Sequence, residues 1–344
     1  MWDSNIASDP SRGAPLDRRG FLAATAAVGL VGCKRDGPPS VRILYGDAPG
    51  TIAHSILQIF ARTLGKSGLN ATVEAIPRGA GKLAAQMLAE APRDGSVVSQ
   101  LLTGLIYAQI LRDDGLAHKL SDYEWIGNYA SDGRALIVSA QSGVTRFDQL
   151  LRRPTPITVP ASSTRNSIFN EVAIIRHLTG ARIKAIPGFQ GGARTLAVVS
   201  GEVDGIIGTL DGLNTVLDLP GSRILLRLGD APLPPGTPGL SDGPVPTLRS
   251  VSRGPDAPPL LQLLDAYSQL GRMMALPPGT PAPIVQQWRT RFADVVADPD
   301  FREQVGALRV SLHYRSGETV AALLAALTDK QAAIEPALRR ALRS

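Results

Sequence analysis

From Val41 onward, short runs of β-branched and aliphatic residues alternate with stretches whose apolar positions recur every three or four residues. The runs predict strands at 41–45, 72–76, 96–102, 134–139, 156–160, 182–187, 203–208 and 223–228. Ile52, Ile56, Ile59, Phe60 and Leu64 fall on one helical face, as do Leu83, Met87 and Leu88. Further helical patterns cover 106–112, 146–152, 166–179 and 191–200. Strands separated by helices in this way predict parallel α/β sheets. Residues 230–259 are dense in Pro and Gly and predict a long loop or crossing segment. Beyond it, the pattern predicts an apolar strand at 272–276 and helices near 281–297, 299–307 and 316–343. The last carries Arg339, Arg340 and Arg343, whose charge suits a solvated helix C-terminus. The chain has no repeat of solenoid length.

The pattern differs before residue 34. An arginine pair, Arg18-Arg19, precedes about a dozen mildly apolar residues and a small-residue stretch ending at Cys33. The run is too short for a membrane span and fits an export signal. Arg18-Arg19-Gly20-Phe21-Leu22 resembles a twin-arginine signal, and Leu30-Val31-Gly32-Cys33 resembles a bacterial lipobox. Cleavage of residues 1–32 would leave Cys33 as a lipidated N-terminus and residues 34–40 as a polar linker. The expected location is therefore the periplasm, with the only membrane attachment through lipid.

Composition narrows the function. The 344 residues leave room for two domains, and 44% of them are apolar. Net charge is +6, but the charges are scattered and aromatics make up 5%, which argues against a nucleic-acid surface. One cysteine excludes a disulfide framework and a cysteine zinc cluster. His54, His118, His177 and His313 lie at no metal-ligand spacing, so neither a metal nor a cofactor is expected. There is no Gly-x-Ser-x-Gly elbow and no complete phosphate loop.

What recurs is a strand, a turn of glycine and hydroxyl residues, and a helix start. Ala48-Pro49-Gly50-Thr51, Thr103-Gly104, Ser162-Ser163-Thr164 and Gln190-Gly191-Gly192-Ala193 all have this form. Such turns direct unpaired backbone N–H groups outward, where the helix N-terminus favours an anion. Each charge-assisted hydrogen bond contributes about 1.5 to 3 kcal/mol, so a few around one carboxylate suffice for micromolar affinity. Taken singly, each turn reads better as ordinary turn and capping residues.

Over residues 41 to about 330, the order of these turns resembles the TctC or Bug family, the substrate-binding proteins of tripartite tricarboxylate transporters. The resemblance rests on Ala48-Pro49-Gly50, Arg78-Gly79-Ala80-Gly81 and Pro92-Arg93-Asp94-Gly95, followed by Ser162-Ser163. It continues through Ile186-Pro187-Gly188-Phe189-Gln190-Gly191-Gly192-Ala193, Gly201-Glu202-Val203-Asp204, Leu276-Pro277-Pro278-Gly279-Thr280-Pro281 and Ala297-Asp298-Pro299-Asp300-Phe301-Arg302. It implies a type II-like periplasmic-binding-protein fold, with two α/β lobes joined by crossing strands around a central cleft. The implied first lobe is 41–138 plus 249–344, and the second is 139–248. Implied ligand contacts are Ala48, Pro49, Gly50, Thr51, Thr103 and Gly104, facing Ser162, Ser163, Thr164, Asn166, Gln190, Gly191, Gly192 and Ala193.

Departures from the family pattern bear on the ligand. Asp47 stands where an aromatic or proline is usual, and it would repel a second carboxylate or pair with an amine or amide. The family's first-helix aspartate is His54 here, and its second glycine is Thr51. The aspartate after the Val-Asp strand is Gly208, with Asp211 as a candidate substitute. Arg165 could hold an anion in fork geometry. The expected protein is a monomeric, non-enzymatic binder of a small organic acid that presents its closed form to transporter membrane subunits. A ligand sensor for a signalling receptor is the alternative, and a serine hydrolase using Ser162 or Ser163 the remote one.

Overall fold

The computed structural model describes residues 40–344 except 131, 132, 165, 231, 232, 234, 235 and 241. Strand β1 (Ser40–Tyr45) pairs in parallel with β2 (Asn70–Ala75) and β3 (Val97–Leu101). Helix Ile52–Gly65 makes the first crossover, and helix Lys82–Ala89 follows the turn after β2. Both faces of β1 are covered: Val41, Ile43 and Tyr45 pack into one apolar cluster and Leu44 into another, the alternation expected of a central strand. Phe60, Tyr129, Phe292 and Phe301 meet ring against ring beneath this sheet.

Next come β4 (Glu124–Asn128), β5 (Arg134–Val138), β6 (Ile157–Ala161), β7 (Ile183–Pro187), β8 (Gly205–Thr209) and β9 (Arg223–Arg227). They are followed by β10 (Met273–Leu276) and the short β11 (Arg315–Ser316). The first sheet has the order β11-β4-β10-β3-β1-β2, with β10 antiparallel to both neighbours. In the second lobe β6 pairs with β7, and β5 lies between β8 and β9. Asp204 joins these two groups: its N–H donates to the Thr158 carbonyl, and its carboxylate accepts the Thr158 amide at 2.7 Å and hydroxyl at 2.8 Å.

With that staple the second lobe reads β7-β6-β8-β5-β9, matching β2-β1-β3-β10-β4 in the first. Each lobe thus places one antiparallel strand, delivered by a crossing segment, beside its third strand. Asn128 fastens the crossing, its side-chain amide donating to the carbonyls of Ala130, Gln269 and Gly271.

The strand and helix pattern is borne out with four corrections. The sheets are mixed, not parallel, because β10 and β5 run against their neighbours. Residues 146–152 form a short 3-10 turn, Phe147–Leu151. The 230–259 loop ends early, at helices Leu248–Val251 and Ala257–Gln269, the latter opening on a proline pair that suits the first helical turn. The expected helix at 316–343 is two, Gly317–Asp329 and Gln331–Arg343. Cys33 and Arg165 lie outside the described residues.

Candidate functional site

The turn between β1 and helix Ile52–Gly65 is held by its own side chains. Thr51 caps the helix, its Oγ1 accepting the His54 amide at 3.2 Å and meeting the Tyr45 hydroxyl at 2.9 Å. That leaves the Ile52 and Ala53 amides, in the helix's first turn, without a protein acceptor among the described residues. Asp47 folds back so that its Oδ1 accepts the Ala48 amide at 2.8 Å. Gly50 takes φ +82, a conformation glycine adopts without penalty.

The remaining turns are similarly braced. Thr103 donates its hydroxyl to the Leu270 carbonyl, and Gly104 opens helix Leu105–Ile110. In the second lobe Asn166 caps helix Ser167–Thr179 through the Ile168 amide at 2.8 Å. Gln190 donates to the Ser162 carbonyl at 3.0 Å, tying the β6 turn to the β7 turn. Gly192 precedes helix Ala193–Val199.

The two lobes meet at these turns. A Cβ placed on Gly191 would lie 3.2 Å from the Ala48 Cβ, with the Pro49 carbonyl 4.0 Å away. A Cβ on Gly104 would lie 3.8 Å from that of Ser167. Four turns separated by up to about 140 residues of chain therefore form two facing pairs. A cavity of about 410 Å³ lies beside them, lined from the first lobe by Gly104, Leu105 and Leu111 and from the second by Thr164, Phe169 and Asn170. The Lys82–Asp113 ion pair, 2.9 Å long, forms part of its wall. Of the described candidate ligand contacts, Gly104 and Thr164 line this cavity, and the first turn and Gln190 to Ala193 lie outside it.

Two arginines that the sequence pattern did not single out, Arg272 and Arg194, meet candidate residues here. Arg272, at the start of β10, pairs with Asp211, just after β8, at 2.9 Å. Burial raises the pKa of the Tyr45 phenol, and the charge of Asp47 adds to the rise, while the Thr51 hydrogen bond and the charges of Arg272 and Arg194 oppose it. Asp47, Arg272 and Arg194 thus all act on one buried phenol at the floor of the first turn. Arg194 also donates to the Gly191 carbonyl at 3.4 Å.

A second buried cluster lies nearby. Arg134 and Glu171 form a two-pronged pair at 2.6 and 2.7 Å, with Glu171 fully buried. The Arg134 guanidinium sits 5.5 Å from the centre of the Tyr267 ring, which packs on Tyr107. Among the described residues no group of His, Cys, Asp and Glu side chains could hold a metal ion. None of the described helices is long and apolar enough to cross a membrane.

No family model matches the chain, and no curated protein does. Solved structures do. An R. palustris protein solved with adipate is 17% identical, covering 88% of this chain and 98% of its own, with a TM-score of 0.68. MatC from Rhodopseudomonas palustris with bound malate is 17% identical over 87% and 98%, at 0.66. The periplasmic binding protein BugD is 16% identical over 88% and 97%, at 0.65. A TctC solute-binding protein from Polaromonas is 17% identical over 88% and 98%, at 0.61. The fold expected from the turn motifs is borne out: this chain has the two-lobed architecture of the TctC and Bug periplasmic solute-binding proteins.

Proposed function

We propose that the chain is a member of the TctC/Bug family: an extracytoplasmic solute-binding protein that captures a small carboxylate between its lobes and presents it to a tripartite tricarboxylate-type transporter. The observation that carries this reading is the apposition of the glycine turns, with Gly191 against Ala48 and Gly104 against Ser167. Among the described residues the Ile52 and Ala53 amides of the helix that follows Ala48 have no protein acceptor, and Arg194 is held against the Gly191 carbonyl. Bound adipate and malate in structures of the same fold are consistent with a carboxylate ligand.

The proposed contacts are the backbones of Ala48 to Thr51, Thr103 and Gly104, facing Ser162 to Asn166 and Gln190 to Ala193. The chain performs no chemistry on the ligand. Binding shifts the lobes toward the closed arrangement, and that arrangement is what the membrane partner reads. The mature protein is tethered in the periplasm by lipid on Cys33.

A thermal-shift panel of mono-, di- and tricarboxylates, aromatic acids, amino acids and amides tests this reading on protein refolded free of co-purified ligand. Ligand at a hundredfold excess over Kd adds about 2.7 kcal/mol, a shift of several degrees for a chain this size. A panel in which no acid responds would overturn the carboxylate site. Metabolic labelling with a fatty acid tests the anchor, since Cys33→Ala should abolish incorporation.

A further inference from the structure

Arg272 and Asp211 come from opposite lobes, and their side chains are only 7% and 14% exposed. Arg272 holds φ +57, a left-handed backbone that a residue with a Cβ keeps only where the surroundings over-determine it. Asp211 gives one oxygen to Arg272, while its Oδ1 is buried without a hydrogen-bond partner. The pair lies by the Thr103 turn, whose hydroxyl donates to the Leu270 carbonyl just before Arg272 in the chain. In the first turn, Asp47 already occupies the Ala48 amide. A cation and a turn amide that could each receive a ligand carboxylate are therefore both engaged by carboxylates of the protein itself.

We propose that Asp211 is a built-in stand-in for a ligand's second carboxylate: by occupying Arg272 it sets the cleft to acids that carry a single carboxylate. The inference rests on the reading of the cleft as a carboxylate site, and it narrows the substrate class. A diacid would have to displace Asp211 from Arg272 and leave a buried carboxylate unpaired, a costly exchange. Asp47 adds like-charge repulsion against it. A monoacid meets neither obstacle. The cavity that Gly104 lines, with Leu105, Leu111 and Phe169 in its wall beside the Lys82–Asp113 ion pair, offers apolar surface to the uncharged remainder of the ligand.

The test uses chain-matched acids on the full-length protein: butyrate against succinate, and hexanoate against adipate, by titration calorimetry. The wild type is expected to bind each monoacid at least tenfold more tightly than its diacid partner. Asp211→Asn, which keeps the side chain's shape, should improve diacid binding at least tenfold more than it improves binding of the chain-matched monoacid. Asp211→Asn combined with Arg272→Gln should abolish that gain. A wild type that binds adipate as tightly as hexanoate, or an Asp211→Asn variant with no gain for diacids, overturns the proposal while the carboxylate site stands. If no acid of either kind binds the wild type, both fall. Should Asp211→Asn fail to fold, the wild-type matched pairs decide the matter alone.

Discussion

Substituting Gly191 by Ala tests the apposition of the lobes, because its two consequences separate experimentally. Gly191 holds φ +48, so a Cβ there incurs about 1 to 2 kcal/mol of local strain whether or not the lobes are closed. That cost appears as lost stability in urea titration. The second consequence exists only when the lobes are together. The new methyl would lie 3.2 Å from the Ala48 Cβ, against an optimum of about 3.5 to 4.0 Å for carbon pairs. Overpacking of this kind typically costs about 1 to 3 kcal/mol. If it falls on the closed state alone, Kd weakens by about 5- to 150-fold. Titration calorimetry with the acid that gives the largest thermal shift reads this directly. Ala48→Gly in the Gly191→Ala background removes the facing methyl, so affinity should recover while the stability loss remains. Equal affinities for the single and double variants would refute the reasoning.

Three further outcomes are expected. Glu171→Ala should destabilise the fold by about 3 to 5 kcal/mol in chemical denaturation, because Arg134 is left as a buried, uncompensated cation. Arg340 first, and His177 second, hold the Asp256 carboxyl down at about 2, from an ordinary 3.8. A depressed carboxyl contributes stability above its unfolded pKa and loses it as pH falls, so stability should decline between about pH 4 and pH 2 more steeply in the wild type than in Asp256→Asn. Gly317→Ala would put a Cβ 2.0 Å from the Trp125 carbonyl oxygen, driving β11 off β4, and a stability loss above about 2 kcal/mol is expected in the same denaturation assay.

Much of this architecture was legible as periodicity. Helix Ile52–Gly65 shows its buried Ile56, Ile59, Phe60 and Leu64 as a plain 3.6-residue stripe, and β1 is a compact apolar run. Strand β4 escaped because Glu124-Trp125-Ile126-Gly127-Asn128 mixes polar and apolar residues without alternation, although four of the five are buried. Helix Ala257–Gln269 escaped because Pro258 and Pro259 prolong a proline-rich stretch, and the same residues start a helix as readily as they interrupt one. At the site, the glycine turns could be found locally, since turn chemistry is local. The Arg272–Asp211 pair could not, because an arginine before an apolar strand reads as a solvated flank until the fold brings its partner from 61 residues away. Asp204 carried the resemblance to a family, yet in the structure it joins two groups of strands.

The position of β10 has a consequence for how the chain is made. It lies between β3 and β4 at the centre of the first sheet, yet it leaves the ribosome after the whole of the second lobe. The second lobe, with all its strands between residues 134 and 227, can complete its sheet first. Meanwhile β3 and β4 wait with open hydrogen-bonding edges, the surfaces through which unfinished sheets aggregate. A nascent chain stopped near residue 270 should therefore depend on chaperones more than one stopped after β10 has emerged. The N-terminal lobe is the last to be finished.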